Sequence, residues 1–173
     1  FHPYEDYRIS YAARKDLGGG VILCQIHELD YILYLFPNFN IKVLNSFNTQ
    51  ISDLKINVED TVIANLSLKN KNKNALCSIH LNFFEKPKNR KILIIGREGK
   101  IETNLNTGIV ELFKKDQKKI FKFKFDKNKI FKKQVEYFIN FLKNKKKIDK
   151  TFDLLNGIKS LKLALRLKNE KKF

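Results

Sequence analysis

A single histidine stands among apolar residues shortly after three glycines, in the segment DLGGGVILCQIHELDY at residues 16–31. His27 is followed three positions later by Asp30, which a helix would place on nearly the same face. Imidazole titrates at a pKa of about 6.5, so it can accept or donate a proton near neutral pH, and a carboxylate can orient it. The segment therefore holds a candidate general acid or base, although a histidine on an apolar face is more commonly a hydrogen-bonded core residue.

The same histidine belongs to one of two Cys-x-x-His pairs, Cys24 with His27 and Cys77 with His80. Four such ligands could form a tetrahedral zinc site. The second pair lies in a segment that predicts a strand, where positions i and i+3 point to opposite faces of the sheet. Both of its side chains could not then reach one ion, and we predict no metal site.

Three consecutive glycines, Gly18, Gly19 and Gly20, precede this apolar segment. Glycine permits positive φ angles and close approach of the backbone to another group. The stretch matches neither the phosphate loop GxxxxGK[ST] nor the dinucleotide pattern GxGxxG, because no Gly-Lys-Ser/Thr follows it and no predicted strand precedes it. We expect either a tight turn packed against the helix or the close approach of a ligand.

The charge of the chain is strongly positive and unevenly distributed. Of 173 residues, 35 are Lys or Arg and 18 are Asp or Glu, and residues 113–173 alone carry 21 basic and 6 acidic side chains. Such a distribution can attract nucleic acid, and a non-catalytic basic binding module is the alternative function. Because the excess is nearly all lysine, in a chain also rich in Asn, Ile and Phe, AT-rich codons explain it more simply, and nucleic-acid binding is not expected.

Cysteine content and hydropathy indicate the compartment. Two cysteines give no disulfide framework, and no run approaches the roughly 18 uncharged apolar residues of a membrane span. We expect a cytoplasmic protein with no membrane partner.

Hydrophobic periodicity predicts one helix, then short strands, then two helices. The first helix follows the glycines and ends before Pro37. Strands are predicted over residues 41–48, 61–68, 75–84, 91–95, 100–104, 108–113 and 119–125, and the later helices over 128–144 and 153–168, the last capped by Thr151 or Asp153. This order predicts a single α+β domain over residues 1–173, with helices packed on one face of an open, mainly antiparallel sheet.

Several blocks of the sequence together resemble the C-terminal domain of the Gfo/Idh/MocA oxidoreductases. The most specific is the glycine run followed by His27-Glu-Leu-Asp-Tyr31. The resemblance also covers residues 4–8, 10–17, 35–36, 59–61, 78–82, 90 and 94–101, and both later helices.

This resemblance implies an NAD(P)-dependent oxidoreductase, a dehydrogenase of sugars, nucleotide-sugars or cyclitols. It implies a nucleotide-binding Rossmann domain upstream that this chain lacks, so that the chain alone would be inactive, with NAD or NADP bound mainly by that domain. His27 would be the catalytic residue, and Gly19 and Gly20 would approach the cofactor. The implied substrate contacts are Arg8, Tyr11, Arg14, Gln25 and Asp30, and the sheet face would form a homo-oligomer such as a dimer.

Two departures from the family pattern bear on these roles. Many members carry an Asp shortly before the histidine, where this chain has Cys24 and Gln25. The Lys86-Pro87 pair lies between predicted strands and does not correspond to the catalytic Lys-Pro motif of the Rossmann domain. The carboxylate that would orient His27 is therefore absent or replaced.

Overall fold

The computed structural model describes residues 6–124, 126–144 and 153–170, which fall into two compact units. The first unit combines residues from the ranges 1–84 and 149–173, and the second unit takes residues from 85–148. Each unit contains its own antiparallel sheet and at least one helix. The architecture is α+β, as the sequence predicts.

The strands and the two later helices begin and end within three residues of their predicted positions. In chain order the elements are α1 (Val21–Cys24), α2 (Ile26–Leu35), β1 (Asn40–Thr49), β2 (Thr61–Lys69), β3 (Asn74–Asn82), β4 (Lys91–Gly96), β5 (Gly99–Asn104), β6 (Ile109–Lys114), β7 (Gln117–Lys122), α3 (Lys127–Asn144) and α4 (Leu154–Asn169).

Three features differ from the sequence-based expectation or complete it. The first helix is broken at Gln25, whose φ of −107° and ψ of 28° lie outside the helical range. The strands form a three-stranded sheet, β1-β2-β3, and a separate four-stranded sheet, β4-β5-β6-β7, rather than one open sheet. Asp153 caps α4 by accepting a hydrogen bond from Asn156 N at 2.8 Å, whereas Thr151 lies outside the described residues.

The core of the first unit lies between the helices and one face of its sheet. Every second residue of β2 faces this core, and α1, α2 and α4 supply the opposite layer. The buried apolar residues that pack together in this core are Val21, Ile22, Leu29, Val62, Ala64, Leu66, Leu68, Ile79, Leu163, Ala164 and Leu167. The prediction that helices pack on one sheet face is confirmed for this unit.

The second unit consists of the β4–β7 meander and helix α3. Helix α3 presents a row of apolar side chains at helical spacing, each more than 40% exposed: Ile130, Phe131, Val135, Phe138, Ile139 and Leu142. In the part of the chain that the structure describes, no helix combines the length and hydropathy required to cross a membrane.

Candidate active site

Backbone hydrogen bonds fold the glycine segment tightly into the first unit. Gly19 N–H donates to the carbonyl of Arg14 at 2.9 Å, and Gly20 N–H donates to that of Ala12 at 3.1 Å. The carbonyl of Gly20 accepts from Cys24 N at 3.0 Å, in the first turn of α1. A Cβ atom at Gly19 would lie only 2.4 Å from the nearest main-chain carbonyl oxygen. The predicted tight turn is therefore confirmed.

Gly20 lies directly against a buried carboxylate. Its φ of 114° is one that residues with side chains rarely adopt, and a Cβ atom there would lie 2.1 Å from Glu59 Oε1. The main chain of Glu59 is also engaged, because its carbonyl accepts a hydrogen bond from Val21 N at 3.0 Å. Helix α1 thus starts from a turn that requires glycine.

The Glu59 carboxylate faces Lys168, near the end of α4. Lys168 Nζ lies 3.6 Å from Glu59 Oε2 and donates a hydrogen bond to the carbonyl of Gly19 at 2.8 Å. The Glu59 side chain is only 7% exposed, and its Oε1 has no hydrogen-bond partner among the described residues. The ammonium group therefore balances a carboxylate that is held out of water.

His27 is the second residue of α2, and its side chain is 51% exposed. Its Nε2 lies 3.1 Å from Glu28 Oε1, and its ring meets that of Tyr31 edge-on with 6.4 Å between centroids. Interpreting this histidine as a core residue is therefore wrong. Val21, Ile22 and Leu29 lie on the buried face of the α1–α2 segment, whereas His27 lies on its exposed face.

Asp30 is bonded to α4 rather than to the imidazole. Its Oδ1 accepts a hydrogen bond of 2.6 Å from Ser160 Oγ, so the expectation that Asp30 orients His27 is not met. Gln25 has a comparable structural bond, since its Nε2 donates to the carbonyl of Asn82 at 3.1 Å. Both residues fasten the α1–α2 segment to its neighbours, and their roles as substrate contacts stay predictions.

Arg8 lies in the first of three short 3₁₀ turns that precede the glycines, and Arg14 lies between the second and third; each pairs with a carboxylate two positions away. Arg8 Nη2 lies 2.7 Å from Asp6 Oδ2, and this pairing holds the pKa of Asp6 at about 2. Arg14 pairs with Asp16 and likewise lowers the pKa of that carboxyl group. Both arginines line an open cleft of about 590 Å³, whose other wall is the segment 50–57.

Tyr11 and Cys24 meet beside the glycine turn. A negative charge on a deprotonated Cys24 would disfavour ionisation of the Tyr11 hydroxyl. This effect, together with burial, raises the pKa of Tyr11. Burial raises the pKa of Cys24 in turn, with a smaller opposing effect from its hydrogen bond to Tyr11. Both groups are therefore protonated at neutral pH. Cys24, one of the two residues at which the resemblance implies a carboxylate, is thus a neutral thiol.

The zinc hypothesis is not supported by the positions of its four side chains. Across residues 6–124, 126–144 and 153–170, no three His, Cys, Asp or Glu side chains are grouped as a metal site requires. Cys24 and Cys77 are both free thiols.

A family model described as the oxidoreductase family, C-terminal alpha/beta domain, of the Gfo/Idh/MocA group, matches residues 5–166. The chain belongs to this family. The match includes the turn at Gly18–Gly20, His27 and most of α4. Among curated protein sequences, none matches the chain significantly.

Solved structures share the fold of this Gfo/Idh/MocA domain at low sequence identity. UDP-N-acetylglucosamine 3-dehydrogenase GnnA from Acidithiobacillus ferrooxidans is 14% identical with a TM-score of 0.72, over 96% of this chain and 49% of its own. A Thermotoga maritima protein assigned as an oxidoreductase is 16% identical with a TM-score of 0.71, over 91% and 46%. Biliverdin reductase from Synechocystis sp. PCC 6803, in complex with biliverdin and NADP+, is 12% identical with a TM-score of 0.66, over 92% and 49%.

The chain spans about half the length of these neighbours. Its glycine turn offers no site for the phosphates of a nicotinamide cofactor. The N–H groups of Gly19 and Gly20 both donate to carbonyls within the chain, so they form no cradle for a pyrophosphate. The exposed imidazole of His27, by contrast, suits proton transfer beside a hydride carrier. Direct cofactor contact by Gly19 and Gly20 stays a prediction.

Glu59, Ser160 and Lys168 hold the site together, and sequence reasoning did not find these roles. Glu59 carried a weak signal, because Glu59-Asp60 is an acidic pair directly before the strand-forming run at residues 61–68. Lys168 carried none, since it is one of many lysines in the last 61 residues. Its role appears only when α4 packs against the glycine turn.

Proposed function

We propose that this chain is the substrate-facing domain of an NAD(P)-dependent oxidoreductase in which His27 exchanges a proton with the substrate. The observation that carries this proposal is the exposed imidazole of His27, at the start of a helix whose approach is fixed by a buried glycine turn. The family supports an oxidoreductase, and one structural neighbour was solved with NADP+. In the complete protein, a nucleotide-binding domain would hold most of the cofactor.

The task of this chain in the reaction is to move a proton. When a hydroxyl group is oxidised to a carbonyl, its C–H hydrogen leaves as hydride to the bound nicotinamide and its O–H proton must go to a base. Glu28 lies 3.1 Å from His27 Nε2, where its carboxylate can accept from that nitrogen and leave Nδ1 to take the substrate proton. In the reverse reaction the same imidazole would return the proton to the carbonyl oxygen.

The substrate in this proposal is a sugar, a nucleotide-sugar or a cyclitol. The cleft beside the glycine turn has polar walls, and Arg8 and Arg14 use only one edge of each guanidinium for their carboxylate partners. The remaining N–H groups suit hydroxyl or phosphate oxygens. The neighbour that acts on UDP-N-acetylglucosamine is consistent with this class. Tyr11, 61% exposed, is a further substrate contact in the proposal.

We also propose that the protein is a cytoplasmic homo-oligomer that associates through the second sheet. Ile101 and Phe121 lie on one face of that sheet together with Ile94 and Leu112, and they are 37% and 46% exposed. An apolar sheet face of this kind favours association with a second copy. Two free thiols suit a reducing compartment.

The proposal is tested by replacing His27 in the complete polypeptide. We expect His27→Gln to lower kcat by about 10²–10⁴-fold, the range of general acid–base catalysis, while the affinity for NADH or NADPH is kept. The assay follows nicotinamide absorbance with UDP-N-acetylglucosamine, unmodified hexoses and inositol as probes. His80→Gln is the matched control, because His80 is exposed on β3. If His27→Gln turned over as fast as wild type, His27 would not be the proton-transfer residue.

A further inference from the structure

Three contacts from distant parts of the first unit fix the segment that carries His27. At the start, Lys168 Nζ holds the carbonyl of Gly19 at 2.8 Å. At the helix break, Gln25 Nε2 holds the carbonyl of Asn82 at 3.1 Å. Beyond the histidine, Asp30 accepts from Ser160 Oγ at 2.6 Å. Two of these three contacts come from α4.

Lys168 is the member of this set with the strongest physical constraint. Its side chain is 24% exposed, and it meets both the Gly19 carbonyl and the carboxylate of Glu59. Glu59 in turn lies against Gly20 and receives the N–H of Val21, the first residue of α1. Displacement of the ammonium group would therefore alter contacts at three consecutive residues, Gly19, Gly20 and Val21.

The helix that carries Lys168 is itself firmly held. Leu163, Ala164 and Leu167 are at most 5% exposed in the core, and the carbonyl of Leu167 accepts from Asn48 Nδ2 at 3.0 Å. The residue next to Lys168 is thus anchored to β1. Because α4 is anchored at this point, the ammonium group of Lys168 is held in a fixed position relative to the glycine turn.

We infer that Lys168 is a positioning residue for His27, which sets the place and orientation of the imidazole through the glycine turn. This inference rests on the proposed role of His27 as the proton-transfer residue. Catalytic groups displaced by about 1 Å can lose about 10²-fold in rate, so a tether of this kind has a measurable effect on turnover. Lys168 does not itself touch the reacting atoms in this scheme.

The experiment compares Lys168→Met with Lys162→Met in the complete polypeptide. Lys162 lies on the same helix and is exposed, so it controls for loss of one lysine from α4. The first readout is the NMR titration of the His27 imidazole, whose signal is identified by its loss in His27→Gln. The second is amide hydrogen exchange at Gly20 and Val21. Both are measured well below the unfolding temperature.

We expect Lys168→Met to shift or broaden the His27 signal and to speed exchange at Gly20 and Val21 by at least tenfold, with Lys162→Met like wild type. With UDP-N-acetylglucosamine as the kinetic probe, kcat should fall about tenfold while KM changes less than twofold. Lys168→Arg, which keeps the charge and a donor, should restore most of the NMR signature and exchange protection.

Because Lys168→Met leaves Glu59 buried without its partner, the variant could fail to fold, and Glu59→Gln/Lys168→Met removes both charges. The inference predicts that the His27 signal stays altered in this double variant, since the Gly19 carbonyl still lacks its donor. It is overturned if the double variant folds and its His27 titration and Gly20 exchange match those of wild type. Those readouts do not depend on turnover, so they separate failure of the tether from failure of the proposed reaction.

Discussion

The ammonium group of Lys168 donates a hydrogen bond to the carbonyl oxygen of Gly19, 149 positions earlier in the chain. The same ammonium lies 3.6 Å from the buried carboxylate of Glu59, which in turn fills the space that a side chain at residue 20 would occupy. The glycines are therefore explained by what lies against them. They leave room for a carboxylate and a tight turn beneath the helix that carries the candidate catalytic histidine.

Replacing Gly20 by alanine should destabilise the first unit by about 3 kcal/mol, since both the φ of 114° and the 2.1 Å approach to Glu59 Oε1 exclude a Cβ atom. Urea unfolding followed by circular dichroism measures the change. Gly157→Ala is the matched control, because a Cβ at that helical position meets nothing within 4 Å. The control should stabilise α4 by about 0.5–1 kcal/mol. If the two substitutions changed the free energy of unfolding equally, exclusion of a Cβ atom at Gly20 would be contradicted.

Ser160→Ala should cost about 1 kcal/mol, because it removes a hydrogen bond to a carboxylate that is itself exposed. A double-mutant cycle with Asp30→Ala, which removes the acceptor, measures the coupling between the two side chains. We expect a coupling free energy of about 0.5–1.5 kcal/mol, as for directly bonded pairs. Additive effects of the two substitutions would show that the Ser160–Asp30 contact does not join α4 to α2 in solution.

Asp60 should make stability depend on pH in the acid range. Burial alone would raise its pKa, but hydrogen bonds from Ser52 Oγ, from the N–H groups of Ile51 and Ser52 and from Thr61 Oγ1 outweigh burial, and the net pKa lies below its ordinary 3.8. A carboxyl group with a lowered pKa in the folded state contributes stability that is complete above the unfolded pKa. That contribution is lost as pH falls through the folded pKa.

We therefore expect Asp60→Asn to lower the free energy of unfolding by about 2 kcal/mol at pH 7, where the charged hydrogen bonds are intact. The difference from wild type should stay constant down to about pH 5 and shrink at lower pH as the wild-type carboxylate is protonated. Unfolding by urea at several pH values measures this. Asp53→Asn, at an exposed residue of the same loop, is the control for loss of one carboxylate. If the difference in the free energy of unfolding between Asp60→Asn and wild type did not shrink below about pH 5, the lowered pKa of Asp60 would be contradicted.

Local sequence patterns were sufficient to predict most elements of the fold. Alternation and turn residues predicted the strands, and Asp153 was a predicted cap of α4. The helix break at Gln25 was not predicted, because it accompanies a side-chain bond to the carbonyl of Asn82, 57 positions away. Burial of His27 was expected because apolar residues occur on more than one side of this helix pattern, whereas the structure exposes the imidazole.

The candidate site was only partly predictable for the same physical reason. The glycine run and His27 form a local pattern that a reader of the sequence can find. Glu59, Ser160 and Lys168 meet that pattern only through tertiary packing, and a lysine in a lysine-rich segment carries no positional signal. Helical spacing alone placed Asp30 where it could orient the imidazole, but a serine on a neighbouring helix binds it instead.

The first unit is discontinuous in sequence, with the second unit inserted between β3 and α4. During synthesis, the segment from Gly18 to His27 therefore leaves the ribosome long before α4, the helix that packs against it. Until α4 follows, Val21, Ile22 and Leu29 lack the core partners Leu163, Ala164 and Leu167. A nascent chain that stops after the inserted unit would carry every residue of the recognisable motif but lack the contacts that Ser160 and Lys168 make with it. Completion of the first unit's core therefore requires synthesis through α4.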